Sequence, residues 1–320
     1  MTRRLIPLVA LVVLAFLLSL IAGKYWIPPG VWFSADPRWV IVTELRLPRA
    51  ILGLAIGGGL GLSGAVLQGY LRNPLADPAV VGVSSSAALG AVASIVLGIG
   101  GSWGMFGCAM LTAAGSMALL AALTWRTQGS VQFILAGTVL ASLSGALTAF
   151  LISLAPNPYA VAEAIEWLMG ALTDRSIDDV RRAVPFIALG SLLLLLTARA
   201  LDALTLGEAA ARSLGIRLGR VQALIVLGTG LTIGASVAVT GVVGFVGLVV
   251  PHLLRPIFGH RPSALLLPSA LGGAALVLVA DSFCRLAPGA GEVRLGVVMA
   301  LIGAPFFLIL LLRGGGRSWH

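Results

Sequence analysis

The sequence predicts an all-α polytopic membrane protein with ten transmembrane helices, and three observations lead to this fold class. Hydrophobic residues make up 58% of the 320 positions, charged residues make up only 10%, and the mean hydropathy is +1.04. A water-soluble domain carries about 25% charged residues, so most of this surface must face lipid. Long uncharged runs separate the few charges, and a spanning helix needs about 20 apolar residues. A cytosolic enzyme, a disordered chain and a disulfide-stapled secreted module are therefore excluded.

Breaks within the longest uncharged runs set the number of helices. One run breaks at the glycine-rich segment 98–104 and another at Thr240-Gly241, so each supplies two spans. A third run supplies one span and then an interfacial helix that carries Glu163, Glu166 and Trp167. All spans belong to a single transmembrane domain, 1–320. The predicted spans are 5–24, 50–71, 79–98, 105–125, 133–154, 180–199, 220–239, 242–257, 263–282 and 295–312.

The distribution of charge orients these helices in the membrane. With both termini in the cytoplasm, twelve Lys and Arg residues and three acidic residues lie on the inner side, against nine of each on the outer side. Basic residues favour the cytoplasmic side of a membrane, so we predict cytoplasmic termini. The cations are spread singly between apolar runs, and this pattern indicates membrane orientation rather than a nucleic-acid partner.

Several kinds of chemistry are missing from the sequence. Cys108 and Cys284 lie in or beside apolar runs without metal-ligand spacing, so we predict buried free thiols and no metal site. The single lysine, Lys24, lies at a span end, where it cannot complete a phosphate-binding G-x-x-x-x-G-K-[ST] loop. Ion-coupled carriers usually place carboxylates in mid-membrane, whereas every carboxylate here lies at or near a span end. We therefore predict a non-enzymatic transport subunit energised by a separate ATPase, with an ion-coupled carrier as the alternative.

Two features of the second span stand out from the hydrophobic background. Arg46 and Arg49 lie three residues apart at its outer mouth, where they either snorkel to the interface or grip carboxylates of an external partner. Gly53, Gly57 and Gly61 recur every four residues, a spacing that lets helices approach closely. We expect these glycines to serve helix packing rather than to line a pathway.

A short cytoplasmic segment between the sixth and seventh spans has the composition of a stiff helix. Small residues, an acidic and a basic residue four apart, and a terminal glycine support this prediction. It is either an amphipathic connecting helix without a partner or a helix that inserts into a cleft of another protein and transmits force. The segment consists of Gly207, Glu208, Ala209, Ala210, Ala211, Arg212, Ser213, Leu214 and Gly215.

Five segments together resemble the permease subunits of bacterial binding-protein-dependent ABC importers for cobalamin, iron–siderophores and haem, the FecCD-type family. The segments are RLPR at 46–49, SGAVLQGYLRNPLADPAVVGVSSSAALG at 63–90, LGEAAARSLG at 206–215, GFVGLVVPHLLR at 244–255 and GEVRLGVVMALIGAPFFL at 291–308. The resemblance implies a type II ABC importer permease fold in the bacterial inner membrane and a homodimer with the pathway on its twofold axis. It also implies two cytoplasmic ATPase subunits that hold ATP and Mg²⁺, and a periplasmic substrate-binding protein. No cofactor is expected on this chain itself.

The resemblance also assigns roles to individual residues. It implies that Arg46, Arg49 and Arg285 dock acidic residues of the binding protein and that 207–215 couples to the ATPases. It implies further that the fifth span lines the pathway, with an inner gate at its start. The pathway and gate residues would be Ser130, Val131, Gly137, Ser142, Ser144 and Thr148.

The cargo is suggested by finer points of the same resemblance. The gate turn Thr127-Gln128-Gly129-Ser130 lacks the adjacent small hydroxyl residues familiar from the cobalamin branch. The segment 67–90 looks most like the haem branch. The sequence therefore favours haem or another iron chelate as the cargo, with cobalamin or an iron–siderophore as the alternative.

Overall fold

The structure is a computed structural model that describes residues 2–34, 36–124, 130–288 and 291–314. Within those residues the fold consists of α-helices, a π-helix (Ile41–Arg46) that leads into α2, and two 3₁₀ turns, and none of the described residues forms a β-strand. Each of the ten predicted spans overlaps one of the ten longer helices, and α6, α8 and α9 are short; the predicted span 180–199 also reaches the first two residues of α8. The helices are α1 (Thr2–Ile21), α2 (Leu47–Leu71), α3 (Val83–Val96), α4 (Gly101–Thr124), α5 (Ser130–Ser153), α6 (Pro158–Leu168), α7 (Ile177–Leu195), α8 (Ala198–Leu204), α9 (Glu208–Ser213), α10 (Leu218–Thr240), α11 (Val246–Phe258), α12 (Pro262–Leu286) and α13 (Leu295–Gly314).

Not all of these helices are long enough to cross a membrane alone. Among the described residues, α1, α2, α4, α5, α10 and α12 qualify by length and composition, and α7 with α8 forms a seventh candidate bent by 43°. The remaining apolar helices, α3, α11 and α13, are shorter. The ten-span count therefore stays a prediction.

The shortness of α3 and α11 has a local cause. A 3₁₀ turn, Pro78–Val81, precedes α3, and the irregular segment 241–245 precedes α11, so both helices begin about four residues later than predicted. Pro78 packs beside Gly247 at the start of α11, and the carbonyl of Val80 lies beside Gly137 of α5. Irregular backbone is tolerated at membrane depth where protein surrounds it.

The glycines of α2 pack against α12, as the sequence predicted. Gly57 lies against the backbone of Gly273, and Gly61 lies against the backbone of Ser269. A Cβ atom at either α2 position would overlap a carbonyl oxygen of α12. Because only a hydrogen atom fits at these positions, the two helices approach each other closely.

Burial separates the central helices from the peripheral ones. Most residues of α2 and α10 are buried, whereas α1, α4 and α5 leave many large apolar side chains exposed. On α5, for example, Leu135 and Val139 are exposed although each is strongly hydrophobic. Exposed apolar faces of this extent mark surfaces that lipid or another protein covers.

Side-chain caps stabilise the short connections. Asn73 Oδ1 accepts a hydrogen bond from the amide of Leu75, and Asp77 Oδ1 accepts one from the amide of Ala79, both at 2.9 Å. These contacts stabilise the turn between α2 and α3. Asn157 caps α6, the helix expected after the fifth span, by accepting from the amide of Ala160 at 2.9 Å.

Candidate functional site

At the end of the bundle that the charge distribution places outside, called the outer end, Arg49 holds two carboxylates at once. Its Nη2 donates to Asp281 Oδ1 at 2.8 Å, and its Nε donates to Asp281 Oδ2 at 3.0 Å. Its Nη1 lies 2.8 Å from Oε2 of Glu292, which also accepts from Thr173 Oγ1 at 3.2 Å. Arg49 thus ties α2 to α12 and to the segment before α13.

The other two predicted docking arginines hold the end of α1. Arg46 Nη1 donates to the carbonyls of Leu20 and Ile21 at 3.0 and 2.8 Å. Arg285 Nη1 donates to the carbonyl of Ser19 at 2.9 Å, and its Nη2 lies 2.9 Å from Asp281 Oδ2. The last carbonyls of a helix lack partners within the helix and attract cations. Both arginines therefore cap α1 from other helices.

All three arginines lie at the outer end, but they are not displayed at the surface. Arg46, Arg49 and Arg285 are exposed by only 6%, 8% and 4%. Glu292 is the most accessible charged partner of the cluster, with 26% of its side chain exposed. The docking role of these arginines stays a prediction, and any partner must compete with bonds that already exist.

Sequence reasoning missed Asp281, which is 1% exposed and lies at the centre of this cluster. It is hydrogen-bonded or ion-paired to both Arg49 and Arg285. The spacing of Asp281 and Arg285 by four residues within one helix was the available signal. The partnership with Arg49, 232 positions away, has no local signal.

The predicted coupling segment forms a short helix at the opposite, inner end. Gly207 precedes α9 with φ of 95°, and Gly215 follows it with φ of 82°, so both ends require the left-handed freedom of glycine. Ala211 is fully buried, whereas Leu214 is 64% exposed. Arg212 lies 3.9 Å from Glu208. The helix itself is confirmed, and its coupling role stays a prediction.

The predicted pathway residues of α5 divide between two faces of the helix. Ser144 and Thr148 are buried, and the Ser144 hydroxyl lies 2.9 Å from that of Ser86 on α3. Gly137 is also buried, against the turn Pro78–Val81. These three residues pack inside one copy of the chain, so they are placed behind the exposed face of α5 rather than on it.

The exposed face of α5 carries the other predicted residues. Val131 is 63% exposed, and Ser142 is also exposed. Ser130 begins the helix, but its side chain and the gate turn 127–129 lie outside the described residues. Of the predicted set, Val131 and Ser142 are therefore the described side chains that the structure leaves exposed.

A second outer group of polar residues was not predicted as a site. Arg175 lies 4.9 Å from the ring centre of Trp167, a cation–π contact. Burial lowers the pKa of Arg175, while Asp179 and Asp174 oppose that effect. Asp179 is committed to Arg182, whose Nη2 donates to its Oδ1 at 2.6 Å. The group borders a cavity of about 390 Å³ at the start of α4.

Known proteins match this chain over nearly its whole length. The model of the FecCD transport family matches residues 11–313. The vitamin B12 import system permease protein BtuC of Klebsiella pneumoniae subsp. pneumoniae is 37% identical over 321 residues, which covers 99% of this chain and 95% of that protein. The corresponding protein of Escherichia coli O139:H28 is 39% identical over 319 residues, with 98% and 96% covered.

Solved structures give the same answer for the fold. A structure described as an inward-facing conformation of a metal-chelate type ABC transporter superposes with a TM-score of 0.89 at 31% identity, covering 98% of this chain and 100% of that one. PsaBC from Streptococcus pneumoniae in complex with Fab gives a TM-score of 0.54 at 18% identity, with 82% and 90% covered. The second likeness concerns the fold alone.

Fold and sequence together define a polytopic membrane permease of an ABC importer, with the type II permease fold. The chain belongs to the FecCD transport family. The family resemblance found in the sequence motifs is therefore confirmed.

Proposed function

We propose that this chain is the permease subunit of an importer that moves cobalamin across the bacterial inner membrane. The observation that carries the proposal is the 37–39% identity to vitamin B12 import permeases over 98–99% of the chain. An identity of this extent over nearly the whole of both chains favours a shared cargo class. The sequence motifs favoured haem or another iron chelate, and the relatives support the cobalamin alternative better.

The chemistry of the cargo is compatible with the likeness to a metal-chelate transporter. Cobalamin is a cobalt ion chelated by a corrin ring, so it is itself a metal chelate, as haem is. The exposed face of α5 is weakly polar, since Ser142 is surrounded there by residues such as Val139 and Leu143. A large cargo molecule can move along such a face without being bound tightly.

The proposed assembly contains two copies of this chain, two cytoplasmic ATPase subunits with ATP and Mg²⁺, and a periplasmic binding protein. The exposed apolar residues of α5 and α13 support a second copy, because one copy leaves them uncovered. The missing phosphate-binding lysine supports a separate ATPase. ATP hydrolysis on the ATPase subunits would shift α9 in both copies of the chain. This shift would change the relative populations of two packed conformations of the pathway.

The proposed docking of the binding protein uses the arginine cluster at the outer end. An incoming carboxylate would replace Glu292 on Arg49, because 26% of the Glu292 side chain is exposed, against 2% of the Asp281 side chain. Arg46 and Arg285 would act mainly by holding α1 and Asp281 in place. On docking, a carboxylate of the binding protein would therefore take the place of Glu292, since the guanidinium group of Arg49 is already paired.

Reconstitution tests the proposal. The chain is placed in liposomes with the ATPase subunit and the binding protein that co-purify with it, and ATP-dependent uptake of radiolabelled cobalamin is compared with uptake of haem. We expect cobalamin uptake that requires ATP, the ATPase and the binding protein together. Liposomes that contain the chain alone, with an imposed proton gradient, are the matched control.

The possible outcomes separate the alternatives. Uptake of haem or a siderophore in place of cobalamin would overturn the cargo and keep the class of transporter. Gradient-driven uptake by the chain alone would overturn the ABC mechanism and support an ion-coupled carrier.

A further inference from the structure

A basic cavity of about 360 Å³ opens at the inner end, between α2, α11 and α12. The titratable groups that line it are Arg72, Arg255 and His260. None of the described residues that line it is acidic. The cavity therefore presents positive charge on walls that are otherwise built from residues such as Pro251 and Leu265.

One of these cations is held in position by a buried amide. Gln68 is 4% exposed, and its Nε2 donates to the carbonyls of Gly247 and Leu248 at 3.2 and 3.4 Å. Its Oε1 is thereby presented to Arg255, whose Nη2 donates to it at 2.7 Å. Arg72 is displayed differently, as the left-handed residue that ends α2 with φ of 50°.

The acidic residues of the inner face are already committed elsewhere. Asp202 accepts from Arg261 Nε at 2.7 Å and from the amide of Ser263 at 2.9 Å. Glu208 faces Arg212, and Asp77 caps its own turn. In the part of the chain that the structure describes, neither arginine of the cavity has an ion pair. An incoming carboxylate could therefore form charge-assisted hydrogen bonds there.

The position of the cavity indicates what covers it. Thr205 lines the cavity two residues before Gly207, and Leu201 of α8 lies against Gly69 in the cavity wall. A protein that covers α9 would thus cover the cavity as well. We propose that this cavity receives an acidic side chain of the cytoplasmic ATPase subunit, so that the ATPase grips the chain at a second point beside α9.

The geometry of α11 argues against a lipid headgroup as the occupant. The exposed apolar residues of α11, Leu253 and Ile257, each lie two positions after a cavity residue, Pro251 and Arg255. Two positions on an α-helix correspond to about 200° of rotation. The cavity therefore opens on the side of α11 opposite to its apolar, lipid-compatible face.

The unusual lysine content of the chain provides a direct test, which rests on the proposed function because it needs the ATPase. Lys24, at the outer end, is the only lysine. Arg72→Lys and Arg255→Lys each place one amine in the cavity while keeping its charge. A zero-length carbodiimide reagent joins an amine to a carboxylate that contacts it, and mass spectrometry of the purified complex locates the joined peptides. Arg3→Lys, an exposed inner position on the peripheral helix α1, is the matched control.

We expect both cavity variants, and not Arg3→Lys, to be joined to an aspartate or glutamate of the ATPase. We also expect the double variant Arg72→Gln/Arg255→Gln to bind the ATPase about tenfold more weakly, with a reduced dependence on salt. An ATPase that co-purifies with the variants without being joined to either lysine would overturn this inference and leave the proposed function intact. If the double variant bound the ATPase more weakly only in membranes that contain anionic lipid, the occupant of the cavity would be a lipid headgroup, and this inference would be overturned. A chain that recruits no ATPase at all would instead contradict the proposed function.

Discussion

Asp281 and Arg49 are separated by 232 positions in the chain and form a buried ion pair with three hydrogen bonds of 2.8, 3.0 and 3.1 Å. The pair joins α12 to α2, the two helices whose glycines also bring their backbones together. Because Asp281 is shared with Arg285 as well, its removal would leave two buried guanidinium groups without their common anion.

Replacing Asp281 tests how much this residue contributes to the stability of the fold. Asp281→Asn should lower the free energy of unfolding by about 3–5 kcal/mol, since breaking a buried ion pair leaves an uncompensated charge. Unfolding in mixed micelles measures this quantity. Asp178→Asn is the control: its partner Arg181 is 3.2 Å away and both side chains are about 70% exposed, so the expected loss is below about 1 kcal/mol. Equal losses in the two variants would contradict a central role for Asp281.

The proposed exchange of carboxylates at the outer end predicts that the loss of one acidic residue of the permease strengthens docking of the binding protein. Glu292→Gln removes the charge that occupies Arg49 Nη1, so the binding protein should dock about fivefold more tightly. Biolayer interferometry with the liposome-embedded permease measures the affinity. Glu166→Gln removes an equal charge on the same side, from the pair with Arg294, and should have a smaller effect. Unchanged or weaker docking by the Glu292 variant would exclude Arg49 as the docking group.

The contact between α2 and α12 can be tested through its glycines. Gly61→Ala would drive a methyl group into the carbonyl of Ser269 and should cost about 1–3 kcal/mol of stability. Gly107→Ala, on α4, meets no atom within 4 Å and should be neutral or slightly stabilising. Thermal unfolding in detergent compares the two. A neutral Gly61→Ala would mean that the helices separate readily at this point.

The coupling segment presents one exposed apolar residue whose removal is specific. Leu214→Asp should reduce recovery of the ATPase with the permease by about tenfold or more, because a charged group would replace an apolar anchor at the contact. Leu97→Asp makes the same change at a residue of equal exposure, 65%, at the other end of the molecule, and should retain the ATPase. Quantitative pull-down from mixed membranes gives the ratio, and full recovery with Leu214→Asp would remove α9 from the interface.

The helices were predictable because the bilayer imposes a simple rule on composition and length. The break at Thr240-Gly241 and the helix 208–213 follow from local residue preferences, and both are confirmed. The late starts of α3 and α11 were not predictable from hydropathy. Their preceding segments are apolar enough to be helical, and their burial, against Gly137 for the first and against Gly170 for the second, permits an irregular backbone.

The position of the candidate site could be predicted from the sequence, but the bonds that its side chains make could not. Hydropathy and motifs located the three arginines at one end of the molecule, but they carry no information on which carboxylates those arginines hold. On α5, small and hydroxyl residues occur on both faces. Ser142 and Ser144 therefore look equivalent in the sequence, although one is exposed and the other is bonded to Ser86.

The anchoring of α1 has a consequence for how the protein is made. The carbonyl groups at the end of α1 are bound by Arg46 and Arg285, so one partner follows about 25 residues later and the other 266 residues later. During translation, α1 must therefore wait for α12 before its end is fully secured. A nascent chain halted before residue 285 would carry a loosely attached α1, which we expect to be a target of membrane quality-control proteases.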